Sequence, residues 1–217
     1  MHGVKNMSAV LEKPVINELG IARLVLQFTP FIEMSDEQFF EFCQANRDLR
    51  IERNSVGEII IMPPTGWETG DKNAEITMQL RIWAKQDGRG RSADSSAGYK
   101  MPNGATLSPD ASWVLNARLD KIQLAKRRKF LPLAPDFVVE LRSESDSLLK
   151  LKEKMVEYIE NGVSLGWLID ATEKKIYVYR PEHEVETLEN PAEISGEPLL
   201  QGFRLNLKEI WQMKLSN

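Results

Sequence analysis

The chain has one cysteine, Cys43, and two histidines, His2 and His183, among its 217 residues. A single thiol excludes an internal disulfide, and two isolated histidines are too few for a zinc site or for a nucleophile with its base and orienter. Phe39, Phe40 and Phe42 surround Cys43 in the sequence, so the thiol reads as a small core side chain rather than a nucleophile. No apolar run approaches the roughly twenty residues that span a bilayer, and the stretch from Met1 to Lys13 lacks the apolar centre of a secretory signal. A cytoplasmic protein with no membrane partner is expected. Internal repeats and low-complexity blocks are also missing, which leaves no sign of a solenoid or a linker between domains.

Net charge is only −4, which at first argues against a nucleic-acid partner. The distribution changes that. Between Pro181 and Leu200 stand Glu182, Glu184, Glu186, Glu189, Glu193 and Glu197 with no Lys or Arg, while the rest of the chain carries 28 basic against 26 acidic groups. Basic residues gather in Arg81, Lys85, Arg89 and Arg91 and again in Lys121, Lys126, Arg127, Arg128 and Lys129, leaving local attraction for a phosphate backbone. The acidic stretch would repel such a backbone, so it is expected away from any phosphate-binding cleft.

The composition, 42% hydrophobic and 28% charged with five Trp and eight Phe, is that of a folded globular protein. Residues 1–20 show no sustained period and read as an N-terminal arm, with one domain over 21–217. Ser35 followed by Gln38 is a capping-box signature, and Phe39, Phe42 and Cys43 then mark a short helix. Runs at Leu49 to Glu52 and Glu58 to Met62, joined through Asn54 and Gly57, read as a hairpin. Ala74 to Gln86 fits an amphipathic helix closed by Gly88. Strands are expected at Ser92 to Ala97, Ala111 to Leu115, Phe137 to Leu141, Leu165 to Ile169 and Ile176 to Tyr179. Leu148, Leu151, Met155 and Ile159 put an apolar stripe on a helix over Ser147 to Asn161. The sum is an α+β or α/β fold, one mixed sheet with helices on its faces.

Two segments carry the chemistry. Ser108-Pro109-Asp110-Ala111-Ser112-Trp113 sets a carboxylate directly after a proline at the entry of an apolar strand. Pro135-Asp136 opens a second strand, Phe137-Val138-Val139-Glu140-Leu141-Arg142, in which Glu140 stands among apolar neighbours. Two carboxylates on neighbouring strands can hold Mg²⁺ for phosphodiester hydrolysis, with a lysine nearby to stabilise charge on phosphate oxygens. Each residue has a plainer reading. Asp110 could cap a turn, Glu140 could pair with Arg142, and a lysine beside an amphipathic stripe is commonly solvated.

These segments, with the run from Lys154 through Tyr158 and Asn161-Gly162-Val163 to Gly166-Trp167 and Asp170, resemble the Uma-type family of restriction-endonuclease-like proteins in the PD-(D/E)XK superfamily. The resemblance extends from about Ile32 to Trp211. It implies a restriction-endonuclease-like core with an N-terminal helix and hairpin extension, endonuclease activity on DNA, dependence on Mg²⁺ with Mn²⁺ as substitute, and a homodimer. It matches Asp110 and Glu140 to the metal-binding acids. Two residues beyond Glu140, Arg142 stands where the superfamily has lysine, and Lys154 occupies the place from which this family supplies it. Glu75 on the first long helix is the candidate for a third metal carboxylate, although surface helix charge is the commoner reading of such a residue. A nuclease-fold scaffold without turnover is the alternative, favoured by the Arg142 departure. A glycosidase is disfavoured because no aromatic-lined cleft pattern accompanies the acids.

Overall fold

In a computed structural model of the chain, residues 15–16, 22–28 and 32–212 are described. Apart from 15–16, the expected arm lies outside the described residues, as does His2. The elements in order are β1 (Val15–Ile16), β2 (Ala22–Leu26), α1 (Asp36–Ala45), β3 (Arg50–Arg53), β4 (Ile59–Met62), α2 (Trp67–Asp87), β5 (Gly90–Asp94), β6 (Tyr99–Lys100), β7 (Thr106–Leu107) and β8 (Ala111–Leu115). There follow α3 (Asn116–Leu119), α4 (Leu124–Arg127), β9 (Phe137–Arg142), α5 (Leu148–Glu160), β10 (Leu165–Asp170), β11 (Lys175–Tyr179), β12 (Glu186–Glu189), β13 (Glu193–Ser195), β14 (Arg204–Asn206) and α6 (Lys208–Trp211). Chain contacts divide into two compact units, residues 1–64 with 103–106, and 65–102 with 107–217. None of the described helices is long and apolar enough to cross a membrane.

The smaller unit holds the N-terminal helix and hairpin. Ser35 Oγ accepts the Gln38 amide while the Gln38 side chain accepts the Ser35 amide, which closes the capping box at the start of α1. β3 and β4 form the antiparallel hairpin, β2 joins β4, and β1 pairs with β2. Arg53 donates to Asp36 at 2.6 Å and to the Met34 carbonyl, and its guanidinium lies over the Phe39 ring. Cys43 is half-buried and not the core residue expected, because the buried face of α1 is carried by Phe39. Burial pushes its thiol up to about 11, against the pull of Arg53, so the reactive thiolate is scarce at neutral pH.

The larger unit is built on a mixed sheet in the order β12-β11-β10-β9-β8-β5, in which β9 and β10 are parallel and the other neighbours antiparallel. Its strands β5, β8, β9, β10 and β11 agree with the sequence reading to within a few residues, whereas β12 was not expected. Alternation splits each strand between two faces. On one face Phe137, Val139, Leu141, Trp167 and Ile169 join Ile76, Leu80 and Ala84 of α2 and Leu205 and Ile210 in the main core. On the other lies α5, whose buried residues are Met155 and Tyr158.

α2 begins at Trp67, seven residues before the expected start, since Gly70 and Asn73 weaken the helical pattern that packing then overrides. It ends as expected at Gly88, whose φ of 72° is the left-handed cap conformation. Gly90 is required for another reason. A Cβ there would sit 2.4 Å from the buried Trp113 ring and 2.5 Å from the Val114 carbonyl. Gly90→Ala is expected to lower unfolding free energy by about 2 kcal/mol through overpacking, read as a shifted denaturant midpoint. An unchanged midpoint would mean that β5 and β8 can part freely.

The acidic stretch includes β12, the edge strand of this sheet, and β13, which pairs with β14. With strands about 4.8 Å apart, β12 lies roughly 14 Å from β9.

Candidate active site

β8 and β9 run antiparallel with Ala111 opposite Val139. Extending that register by one residue puts Asp110 opposite Glu140, and opposed residues in such a pair project from the same face with Cβ atoms about 5 Å apart. Both acids are buried, Asp110 at 6% and Glu140 at 3% exposure. A buried carboxylate needs compensation. Asp110 Oδ2 accepts the Leu141 amide at 2.9 Å. Glu140 Oε1 accepts the Tyr158 hydroxyl at 2.9 Å and pairs with Lys154 Nζ at 2.9 Å.

Lys154 and Tyr158 both come from α5. Ser147 caps this helix by accepting the Lys150 amide, and its apolar residues lay it on β9, β10 and β11. Lys154 and Tyr158 are four residues apart and so share a face. That face is the buried one, since Tyr158 is 0% exposed and the Lys154 side chain 15%. The plain reading of Lys154 as a solvated side chain is therefore replaced by an ion pair at the sheet.

Arg142 goes elsewhere. It lies on the same face of β9 as Glu140 but about 6.6 Å further along, opposite Asp170 in the parallel register with β10. Arg142 Nη1 donates to Asp170 Oδ2 at 2.7 Å and its Nε to the Asp146 carbonyl. Arg142 thus pairs with Asp170, and the strand-end pairing considered for Glu140 is supplied by Lys154. Glu75 is not brought to the two acids. α2 packs on the opposite face of the sheet, and the Glu75 carboxylate accepts the Gln79 amide at 2.7 Å. Gln79 is in turn held to β14 by donating to the Asn206 carbonyl and accepting the Asn206 amide.

The second Pro-Asp pair shows what the first could have been. Asp136 Oδ2 accepts the Leu115 amide at 2.9 Å, the mirror of Asp110 with Leu141. Each aspartate thus secures the far end of its partner strand. Their neighbours differ: Asp136 pairs with Arg118 at 2.8 Å, and Asp110 stands opposite Glu140. Beside Asp110 on β8, Ser112 Oγ shares a buried hydrogen bond with the Tyr99 hydroxyl at 2.6 Å, and burial pushes that phenol up to about 12. It remains a neutral group.

Among the described residues no cluster of three or more His, Cys, Asp or Glu has metal-holding geometry. A Mg²⁺ site does not require one, since one or two carboxylates with waters and substrate phosphate suffice. Asp110 and Glu140, hard oxygen donors opposite each other on a rigid sheet, fit that donor set. Two features were hidden in the sequence. Tyr158 looked like an ordinary core aromatic, and its spacing of four from Lys154 was the one signal of a shared role. Asp170 as the partner of Arg142 depends on the β9 to β10 register and had no local signal.

A family model described as "Uma2: Putative restriction endonuclease" matches residues 36–208. Among solved structures, the chain is similar to one described as a putative nuclease belonging to DUF820 from Anabaena variabilis, with a TM-score of 0.68 at 20% identity. That match covers 82% of this chain and 98% of the other, and it shows the shared fold. No curated protein matches the sequence.

Proposed function

Because the chain belongs to the Uma2 family of restriction-endonuclease-like proteins, we propose that it is a metal-dependent endonuclease that hydrolyses phosphodiester bonds of DNA at Asp110, Glu140 and Lys154. The observation that supports this most is the gathering of those three side chains from separate elements, the entry to β8, the middle of β9 and the buried face of α5. A divalent cation, Mg²⁺ or Mn²⁺, would supply Lewis acidity toward a phosphate oxygen and acidify a water. Asp110 and Glu140 would hold it, positioned by the sheet and by their hydrogen bonds to Leu141 and Tyr158. Lys154 would stabilise negative charge on the phosphate oxygens, a role that suits a compact ammonium on a flexible stem. Arg142 maintains the end of the sheet through Asp170 and is not assigned to the chemistry. One domain over 21–217 and a homodimeric assembly complete the proposal.

The test is incubation of the purified protein with supercoiled plasmid. Nicked or linear products are expected with Mg²⁺ or Mn²⁺, with none in excess EDTA. Lys154→Ala is expected to bind metal and stay folded yet lose cleavage. Absence of cleavage with every divalent ion, or full cleavage in EDTA, would overturn the reading. Metal binding without any cleavage would instead favour the scaffold alternative.

A further inference from the structure

One oxygen of Glu140 receives two donors of different kinds from one helix. Tyr158 approaches Oε1 as a neutral hydroxyl at 2.9 Å and Lys154 as an ammonium at 2.9 Å. Tyr158 is 0% exposed, and a fully buried ring in a close-packed interior leaves its hydroxyl little room to move. Lys154 keeps 15% of its side chain exposed and has a four-carbon stem, with its ammonium 5.7 Å from the centre of the Tyr158 ring. One donor is a buried, uncharged hydroxyl and the other a cation on a flexible stem.

We propose that Tyr158 is the positioning residue of the metal site, fixing Glu140 through Oε1, and that Lys154 is a stand-in cation whose pairing with Glu140 opposes metal binding. This rests on the metal-dependent nuclease reading of the same site. The physical argument is the sign of each donor. A hydroxyl donated to a carboxylate orients it without adding charge, and removal of such an outer partner typically weakens a metal site by about 10- to 100-fold. An ammonium beside the same carboxylate does two things to an arriving cation: it repels it, and it already satisfies the carboxylate that the cation needs. Lys154 has the reach to leave Glu140 for a phosphate oxygen, and Tyr158 then keeps the carboxylate in place.

The two donors should therefore act on metal affinity with opposite sign, which a common structural role would not produce. The experiment is calorimetric titration of Mn²⁺ into the whole protein without DNA. Thermal melts would show that each variant is folded at the titration temperature. Tyr158→Phe keeps the buried ring and is expected to bind Mn²⁺ about tenfold more weakly. Lys154→Met is expected to bind several-fold more tightly than the wild type. Raising Mn²⁺ should restore cleavage by Tyr158→Phe, because the variant loses affinity and not the reacting groups. Unchanged affinity in Tyr158→Phe, or unchanged or weaker affinity in Lys154→Met, would overturn the proposal. If Tyr158→Phe does not fold, Lys154→Met decides by the same criterion. The underlying reading fails separately: wild-type protein would bind no Mn²⁺, or binding would survive both Asp110→Asn and Glu140→Gln.

Discussion

Asp110→Asn and Glu140→Gln are each expected to reduce single-turnover plasmid cleavage by about a thousandfold or more while leaving the chain folded. The magnitude follows from the several kcal/mol of charge stabilisation that a bound metal gives a phosphoryl transition state, at about 1.4 kcal/mol per factor of ten. Both substitutions preserve shape. Asparagine at 110 keeps an oxygen for the Leu141 amide, so the end of β9 stays attached. Glutamine at 140 keeps an acceptor for Tyr158 and Lys154 but removes the charge that a hard cation needs. Asp136→Asn is the control, since Asp136 makes the equivalent strand contact and is paired with Arg118. It should cost stability and leave the cleavage rate of the folded protein unchanged. Wild-type rates in Asp110→Asn or Glu140→Gln would remove that acid from the site, and equal losses in all three variants would reduce the effect to strand pairing.

The second large effect is on stability. Arg142→Ala is expected to lower unfolding free energy by about 3 kcal/mol, because removing one partner of a buried pair leaves the other as an uncompensated charge. Asp170 is 0% exposed, its Oδ2 held by Arg142 at 2.7 Å and its Oδ1 accepting the Glu173 amide. Arg142 also ties Asp146 to the end of β9, where Asp146 in turn accepts the Ser143 hydroxyl. Adding Asp170→Asn to Arg142→Ala should recover part of the loss, since the buried group is then neutral. Arg142→Lys should lose less than alanine, as it retains the charge without the fork that reaches both partners. Urea unfolding of the wild type, Arg142→Ala, Asp170→Asn and the double variant measures the cycle. A loss below about 1 kcal/mol in Arg142→Ala would place the pair in the solvent-screened range.

Much of the larger unit could be read from local pattern. Strands with apolar runs, such as Ala111–Leu115 and Leu165–Asp170, appeared where expected because burial on both faces leaves a continuous signal. The helix over Leu148–Glu160 was marked by its cap Ser147 and its apolar stripe. Short elements were not visible. β12, β13 and β14 have only three or four residues each, and the glutamate-rich sequence of β12 is a strand because β11 offers it an edge. Local propensity is overruled there by pairing.

For the site, the sequence by itself determined the residue types: two Pro-Asp strand entries, a glutamate in an apolar strand, an arginine two residues later and a lysine on the following helix. The family resemblance singled out Asp110, but local chemistry alone does not separate it from Asp136, since both follow a proline at the entry of an apolar strand. That choice belongs to the antiparallel register of β8 and β9, which puts Asp110 opposite Glu140 and leaves Asp136 to Arg118. Nor could the sequence choose between Arg142 and Lys154. The parallel register of β9 and β10 directs Arg142 to Asp170, and the packing of α5 turns Lys154 and Tyr158 onto Glu140. The physical reason is one of range. Backbone period and side-chain polarity act over a few residues and are written in the chain. The pairing of charges 14 to 28 residues apart exists only once strand register and helix docking have selected which buried carboxylate meets which cation.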